Sequence, residues 1–260
     1  MTTESTVHYE AADGVATLTL SRPEVFNALN AQLHADLMAA LKQAERDPAV
    51  RAVIVTGAGK AFCSGQDLRE VPTDGASAMI GERLRASYNP LVTKLRSLPK
   101  PVIAAVNGVA AGAGMSLALA CDLRVAAASA RFVNAFARIG LIPDCGMTYL
   151  LPRLVGQARA FELSALGGEV DAATALQWGM VNRVVPDAEL QAAAQALAAQ
   201  LVAGPALAIS LIKRGLERSQ GATLAEMLEY EAQAQQAAGA HPDFAEGVGA
   251  FREKRPAKFG

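Results

Sequence analysis

Cysteine is scarce: Cys63, Cys121 and Cys145 are the whole complement of the chain. They are odd in number and no CxxC or Cys/His spacing joins them, so neither a disulfide framework nor a zinc site is indicated, and buried free thiols are expected. Runs of one charge are missing as well. Lys and Arg total 24 against 25 Asp and Glu, a formal net charge of −1. Binding along a phosphate backbone needs clustered cations, so nucleic acid is not an expected partner. No apolar run reaches the roughly 18 residues that a membrane span requires. The opening MTTESTVHYE has neither the basic nor the apolar region of a signal peptide. A cytoplasmic protein without a membrane partner is expected. No GxxxxGK[ST] occurs, and Gly112 and Gly114 lead to Leu117 where a dinucleotide fingerprint wants Gly or Ala.

What is present is a globular balance, 52% hydrophobic and 19% charged over 260 residues, enough for a sizeable core. The first two thirds alternate short β-rich runs with helical ones, the pattern of an α/β fold. Strands are expected at Ala16–Leu20, Ala52–Thr56, Val102–Val106, Leu123–Ala127 and Val181–Val185. Between the first two, Leu33, Leu37, Leu41 and Ala44 recur at helical spacing, with Asn30 as N-cap and Asp47-Pro48 as stop. A further helix is bracketed by Asp171 and Gly179. Beyond Pro186 the chain reads as helix only, over roughly 187–202, 206–218, 223–238 and 243–253. Two regions follow: a core of 1–186 and a helical segment of 187–260. An Ala-rich amphipathic tail must fold back on the core or pack on another subunit.

Three segments carry candidate chemistry. Lys60-Ala-Phe-Cys-Ser-Gly-Gln-Asp-Leu68 and Asn107-Gly-Val-Ala-Ala-Gly-Ala-Gly-Met-Ser116 each leave a strand through glycine, where backbone N–H groups lack an intrahelical partner and can donate to an anion. Two such turns facing each other would make an oxyanion hole, although glycine there also serves plain packing. In Ile139-Gly-Leu-Ile-Pro-Asp-Cys-Gly146, Asp144 is either a functional carboxyl or a cap for the helix that follows. His8, His34 and His241 have no partner spacing and Trp178 sits at a helix end, so none is assigned a role in catalysis.

Leu20-Ser-Arg-Pro-Glu-Val-Phe-Asn-Ala-Leu29, Ala61–Leu68, Pro101-Val-Ile-Ala-Ala-Val-Asn-Gly108 with Ala120-Cys-Asp122, and Asp243–Arg255 resemble, in order and spacing, the signatures of the crotonase (enoyl-CoA hydratase/isomerase) superfamily. Phe132–Gly146 with Leu151-Pro-Arg-Leu-Val-Gly156 is most similar to the phenylacetate-pathway branch, which isomerises the ring-1,2-epoxide of phenylacetyl-CoA to an oxepin. The resemblance implies a spiral of ββα turns with a C-terminal helical segment that builds a homotrimer or homohexamer. It also implies an acyl-CoA thioester substrate, with coenzyme A entering as part of that substrate and no metal or redox cofactor.

Carried over by position, the resemblance places the oxyanion donors at the Gln66 and Ala113 amides and the proton-moving carboxyl at Asp144. The positions of the two glutamates used by family hydratases hold Ser116 and Phe136, which favours an isomerase over a hydratase. Coenzyme A would meet Val25, the segment Ser64, Gln66, Asp67 and Leu68, and Arg69, with Lys254 reaching the phosphate of a neighbouring subunit. For Arg69 and Lys254 a solvated surface charge is the plainer alternative, and Asp67 is expected to fix its turn by local hydrogen bonds rather than to bind. The segment Val71–Tyr88 would line the acyl pocket, with Met79, Ile80 and Tyr88 beside Ser116 and Phe136.

Overall fold

The computed structural model describes residues 5–70 and 79–260. The chain opens with the hairpin β1 (Val7–Ala12) and β2 (Val15–Leu20), turned by Asp13 and Gly14, both at positive φ as a two-residue hairpin loop requires. Then follow α1 (Ala31–Arg46), β3 (Ala52–Gly57), β4 (Ala61–Cys63), α2 (Ile80–Arg83) and α3 (Asn89–Ser97). Next come β5 (Val102–Val106), β6 (Val109–Ala111), α4 (Ala113–Ala120), β7 (Leu123–Ala127) and β8 (Arg131–Val133). The core closes with α5 (Met147–Val155), α6 (Gln157–Leu166), β9 (Glu169–Asp171), α7 (Ala172–Gln177) and β10 (Arg183–Val185).

One sheet has six strands in the order β1-β2-β3-β5-β7-β10, parallel from β2 onward. The other has four, β4-β6-β8-β9, with β9 antiparallel. From β3 to α6 each coil of chain therefore gives one strand to the large sheet, a short one to the small sheet, and then helical residues. This is the ββα spiral expected, and all five expected strands lie in the large sheet. The last begins only at Arg183, because Asn182 stops short to exchange hydrogen bonds with Arg124: its amide donates to the Arg124 carbonyl and its side-chain oxygen accepts from the Arg124 amide.

Burial follows from position. Val102 to Val106 and Ala52 to Val55 are wholly inaccessible to solvent, as strands covered on both faces must be. Asn30 caps α1 by accepting from the Leu33 amide, and Asp171 caps α7 by accepting from the Thr174 amide. All eight residues of α4 are buried, which suits its uniformly small and apolar sequence.

Four helices end the chain: α8 (Leu190–Val202), α9 (Ala206–Ser219), α10 (Leu224–Gly239) and α11 (Pro242–Glu253). The boundary drawn at residue 186 falls just before α8, whose Leu190, Ala194, Leu197 and Ala198 join the hydrophobic core. Next, α9 is pinned by Lys213, whose Nζ donates to the Leu95 carbonyl at 2.8 Å and pairs with the Asp122 carboxylate at 2.7 Å. By contrast α10 has no buried residue. Leu216, Leu224, Phe244 and Phe251 stand exposed on this segment. Among the described residues no single helix is long and apolar enough to cross a membrane.

Candidate active site

Two glycine turns meet at adjacent strands of the small sheet. Cys63 pairs with Ala110 in register, and three residues beyond each lie Gln66 and Ala113. Leu29 binds the first turn on one side only: its amide donates to the Gly65 carbonyl at 2.7 Å, and its carbonyl accepts from the Asp67 amide at 2.9 Å. The alternation of an extended chain then turns the Gln66 amide away from Leu29. Ala113 opens α4, so its amide has no intrahelical acceptor. Among the described residues neither amide donates to any other group. Glycine makes the approach possible. A Cβ on Gly65, where φ is +90°, would stand 2.7 Å from the Ala111 carbonyl oxygen and 3.3 Å from the Ala113 nitrogen.

The carboxyl of Asp144 does not cap α5. Gly146 holds the cap position without a side-chain bond, and the Met147 amide donates to the Asp144 main-chain carbonyl. Ser116, one turn along α4 from Ala113 and fully buried, donates its hydroxyl to that same carbonyl at 3.0 Å. One helix thus carries the Ala113 amide and fixes the Asp144 main chain. Oδ1 of Asp144 is buried with no partner among the described residues. Burial pushes this carboxyl above its ordinary range, partly offset by the neighbouring Cys145 thiol. Cys145 itself sits at φ 54°, a strained conformation for a residue with a side chain.

Phe136 is buried, and its Cζ lies 3.9 Å from where a Cβ on Gly112 would stand, so its ring covers the second turn. Tyr88 is also buried, and its hydroxyl donates to the Gln66 side-chain oxygen. The edge of its ring meets His34, with centroids 4.0 Å apart. Both His34 nitrogens lack a partner among the described residues, and burial lowers its pKa to about 4. A cavity of about 510 Å³ opens here, lined by His34, Met38, Gln66, Arg83 and Tyr88 among others, and Asp144, Ala113 and Phe136 do not line it.

Of the acyl-pocket candidates, Tyr88 lines this cavity, and Ser116, Met79 and Ile80 lie away from it. The Ser116 hydroxyl is spent on the carbonyls of Asp144 and Gly112 and presents nothing to a pocket. Met79 is 64% exposed, at the outer start of its helix. Ile80 is half-buried beside it, and neither lines the cavity. Residues 71–78 of the expected acyl segment lie outside the described residues.

Of the coenzyme A candidates, Val25 and Ser64 come together: the Ser64 hydroxyl donates to the Val25 carbonyl at 3.2 Å. Leu68 and Arg69 follow on an exposed turn. Asp67 makes local hydrogen bonds of the kind expected of it. Only 4% exposed, it takes Arg69 at 2.7 Å and Arg22 at 3.0 Å, and hydrogen bonds from Arg69 hold its carboxyl far below the ordinary range. Lys254 ends α11 at φ 54°, exposed, and among the described residues no hydrogen bond or ion pair joins it to these turns.

Sequence reasoning missed Arg22 and Asn27. Arg22 donates to the Ala28 carbonyl as well as to Asp67. Asn27 is fully buried at φ 56°; it accepts from the Arg22 amide and donates to the Ala58 and Ala61 carbonyls. The signal was a polar residue inside the run Val25-Phe-Asn-Ala-Leu29, where a buried amide must find partners.

The profile of the enoyl-CoA hydratase/isomerase family matches residues 10–260. The chain belongs to the enoyl-CoA hydratase/isomerase family. Among relatives, 1,2-epoxyphenylacetyl-CoA isomerase of Escherichia coli K12 is 49% identical over 248 residues, 95% of each chain. A protein of Rhodobacter capsulatus named "Probable enoyl-CoA hydratase" is 45% identical over 98% of this chain and 97% of its own. The crystal structure of an enoyl-CoA hydratase from Polaromonas sp. JS666 superposes with a TM-score of 0.92 at 35% identity, covering 98% of this chain and 99% of that one. The spiral is therefore the crotonase-type fold expected, and the chain is an enzyme of the enoyl-CoA hydratase/isomerase type.

Proposed function

We propose that this enzyme isomerises an acyl-CoA through a thioester enolate, with a ring-1,2-epoxyphenylacetyl-CoA or a 3-enoyl-CoA as substrate. One arrangement carries the reading: two amides unpartnered among the described residues, Gln66 and Ala113, on turns packed backbone to backbone, with the main chain of Asp144 tied to the helix of Ala113 through Ser116. Removing the α-proton of a thioester places negative charge on its oxygen. Donors preset toward that oxygen in a dry site are worth about 3–4 kcal/mol each. A buried carboxyl with a raised pKa is poised to take that proton and return it to another carbon.

The single carboxyl favours isomerisation over hydration. Water addition needs a separate acid and base, whereas Ser116 is occupied by main-chain carbonyls and Phe136 is apolar. The Escherichia coli relative, named as an isomerase, supports this order, and the Rhodobacter relative, named as a hydratase, supports the alternative. Rates on ring-epoxide, 3-enoyl and crotonyl thioesters test it. Crotonyl-CoA hydration much faster than either isomerisation overturns the order. A non-catalytic coenzyme A scaffold is the remaining alternative, and it requires Asp144→Asn to leave every rate unchanged.

Coenzyme A belongs to the substrate in this reading, held near Val25, Ser64, Leu68 and Arg69. The steps draw on amides and one carboxyl and call for no metal or redox group. The exposed Leu216, Leu224, Phe244 and Phe251 support packing of the helical segment on further copies, as a homotrimer or homohexamer in the cytoplasm. Lys254 would then approach a neighbour's coenzyme A phosphate.

A further inference from the structure

The helical run through residues 80–97 is broken at its middle. Leu84–Tyr88 forms a π turn, in which the Asn89 amide donates to the Leu84 carbonyl five residues back. Pro90 supplies a cause, since it has no N–H to give to the Ala86 carbonyl and its ring crowds that position. Such a turn inserts a residue and re-aims side chains, and it recurs at functional sites. Here it ends on Tyr88, which is buried with its ring edge against His34 and its hydroxyl on the Gln66 side chain. The other end of that side chain donates from Nε2 to the Asp67 carbonyl at 3.1 Å.

We propose that Tyr88 is a positioning residue for the oxyanion hole, bracing Gln66 so that its amide keeps its aim. Among the described residues the Gly65–Gln66 peptide is otherwise held at one point, the Leu29 amide on the Gly65 carbonyl, and Gly65 itself sits at φ +90°. A peptide fixed by a single bond can tilt about it. The Tyr88 clamp supplies a second point from a different helix. Burial raises the phenol pKa, so the hydroxyl keeps its proton for Gln66 throughout the working range.

The inference rests on the enolate reading, and the test separates the two. The probe is acetoacetyl-CoA, an enolisable thioester whose bound enolate absorbs in the near ultraviolet, alongside turnover of a 3-enoyl-CoA. Tyr88→Phe should bind the probe within about twofold of the parent while enolate signal and kcat both fall about tenfold, the scale of a donor slightly misaimed. Gln66→Met removes the same bond from the other side while keeping the main-chain amide, and serves if the Tyr88 variant folds poorly. It should show the same loss, and the double variant should lose no more than either single. Multiplying losses, or a Tyr88 variant that changes KM and acyl preference with kcat intact, would make Tyr88 a pocket wall and overturn the inference. A parent enzyme that binds the probe without enolate signal would instead sink the enolate reading, and the inference with it.

Discussion

Replacing Asp144 by Asn should drive activity and stability in opposite directions. The carboxyl is buried, its Oδ1 has no partner among the described residues, and it caps no helix. As the proposed base it would account for the proton transfer, and losing a positioned base costs 10²- to 10⁴-fold, or about 3–5 kcal/mol of barrier. Binding of the coenzyme A thioester should be preserved. Stability moves the other way because an amide removes a buried charge without changing shape, a gain of about 1 kcal/mol at neutral pH. The sign with pH follows from the raised carboxyl pKa. Below the ordinary carboxyl pKa both states are protonated and the two proteins should be equally stable. As pH rises the unfolded carboxyl ionises first, so the parent loses stability until the folded carboxyl ionises too. Urea melts from acid to neutral pH, beside isomerase rates over the same range, check both halves. An Asn variant less stable than the parent at neutral pH, or one that keeps its rate, would refute the reasoning.

Gly65→Ala puts a methyl 2.7 Å from the Ala111 carbonyl at φ +90°. It should cost about 2–4 kcal/mol, and a displacement near 1 Å at the donors should cost about 10²-fold in kcat; denaturant midpoints and turnover read the two effects. His34 has its pKa lowered from 6.5 to about 4 by burial, a displacement worth on the order of 3 kcal/mol. A lowered histidine pKa means the unfolded chain takes up the proton first, so that stability drains as pH falls from 6.5 toward 4. His34→Leu should remove that slope in melts run across the window, and an unchanged slope would count against the assignment. Lys213→Met takes from the Asp122 carboxylate the cation that it meets at 2.7 Å, leaving it Arg96 at 3.9 Å and the Val102 amide, for an expected loss of about 1–3 kcal/mol in urea unfolding. A loss under about 1 kcal/mol would mean that the pair is effectively solvated.

Much of the large sheet was legible because β3 and β5 are continuous apolar runs between turn signals, and α1 and α7 carry Asn30 and Asp171 where caps belong. The small sheet was not. Its strands are three residues long, too short for a period-2 pattern to register, and β4 and β6 merge with the glycine turns that follow. The hairpin strand β1 escaped for a related reason, since only Val7 in it is buried. At the site, glycine at strand ends pointed to free amides, but their mutual packing depends on the pairing of Cys63 with Ala110, a contact between remote segments. Asp144 stayed ambiguous because caps and bases use the same side chain, and only the structure shows that Gly146 holds the cap position of α5 without a side-chain bond. The exposure of Met79 was not legible either, because an apolar residue can sit in a pocket or on a surface with equal ease.

The pairing of Cys63 with Ala110 sets a ruler for this enzyme. Neighbouring strands keep about 4.8 Å between them whatever their side chains are, so the gap between the Gln66 and Ala113 nitrogens is inherited from sheet architecture and not from residue identity. A change of side chain at 66 or 113 leaves the strand spacing untouched and can alter only the aim of an amide, whereas a one-residue slip of either strand would destroy the spacing itself. New reactions can therefore be tried by moving acids and pocket walls around a fixed socket for the thioester oxygen.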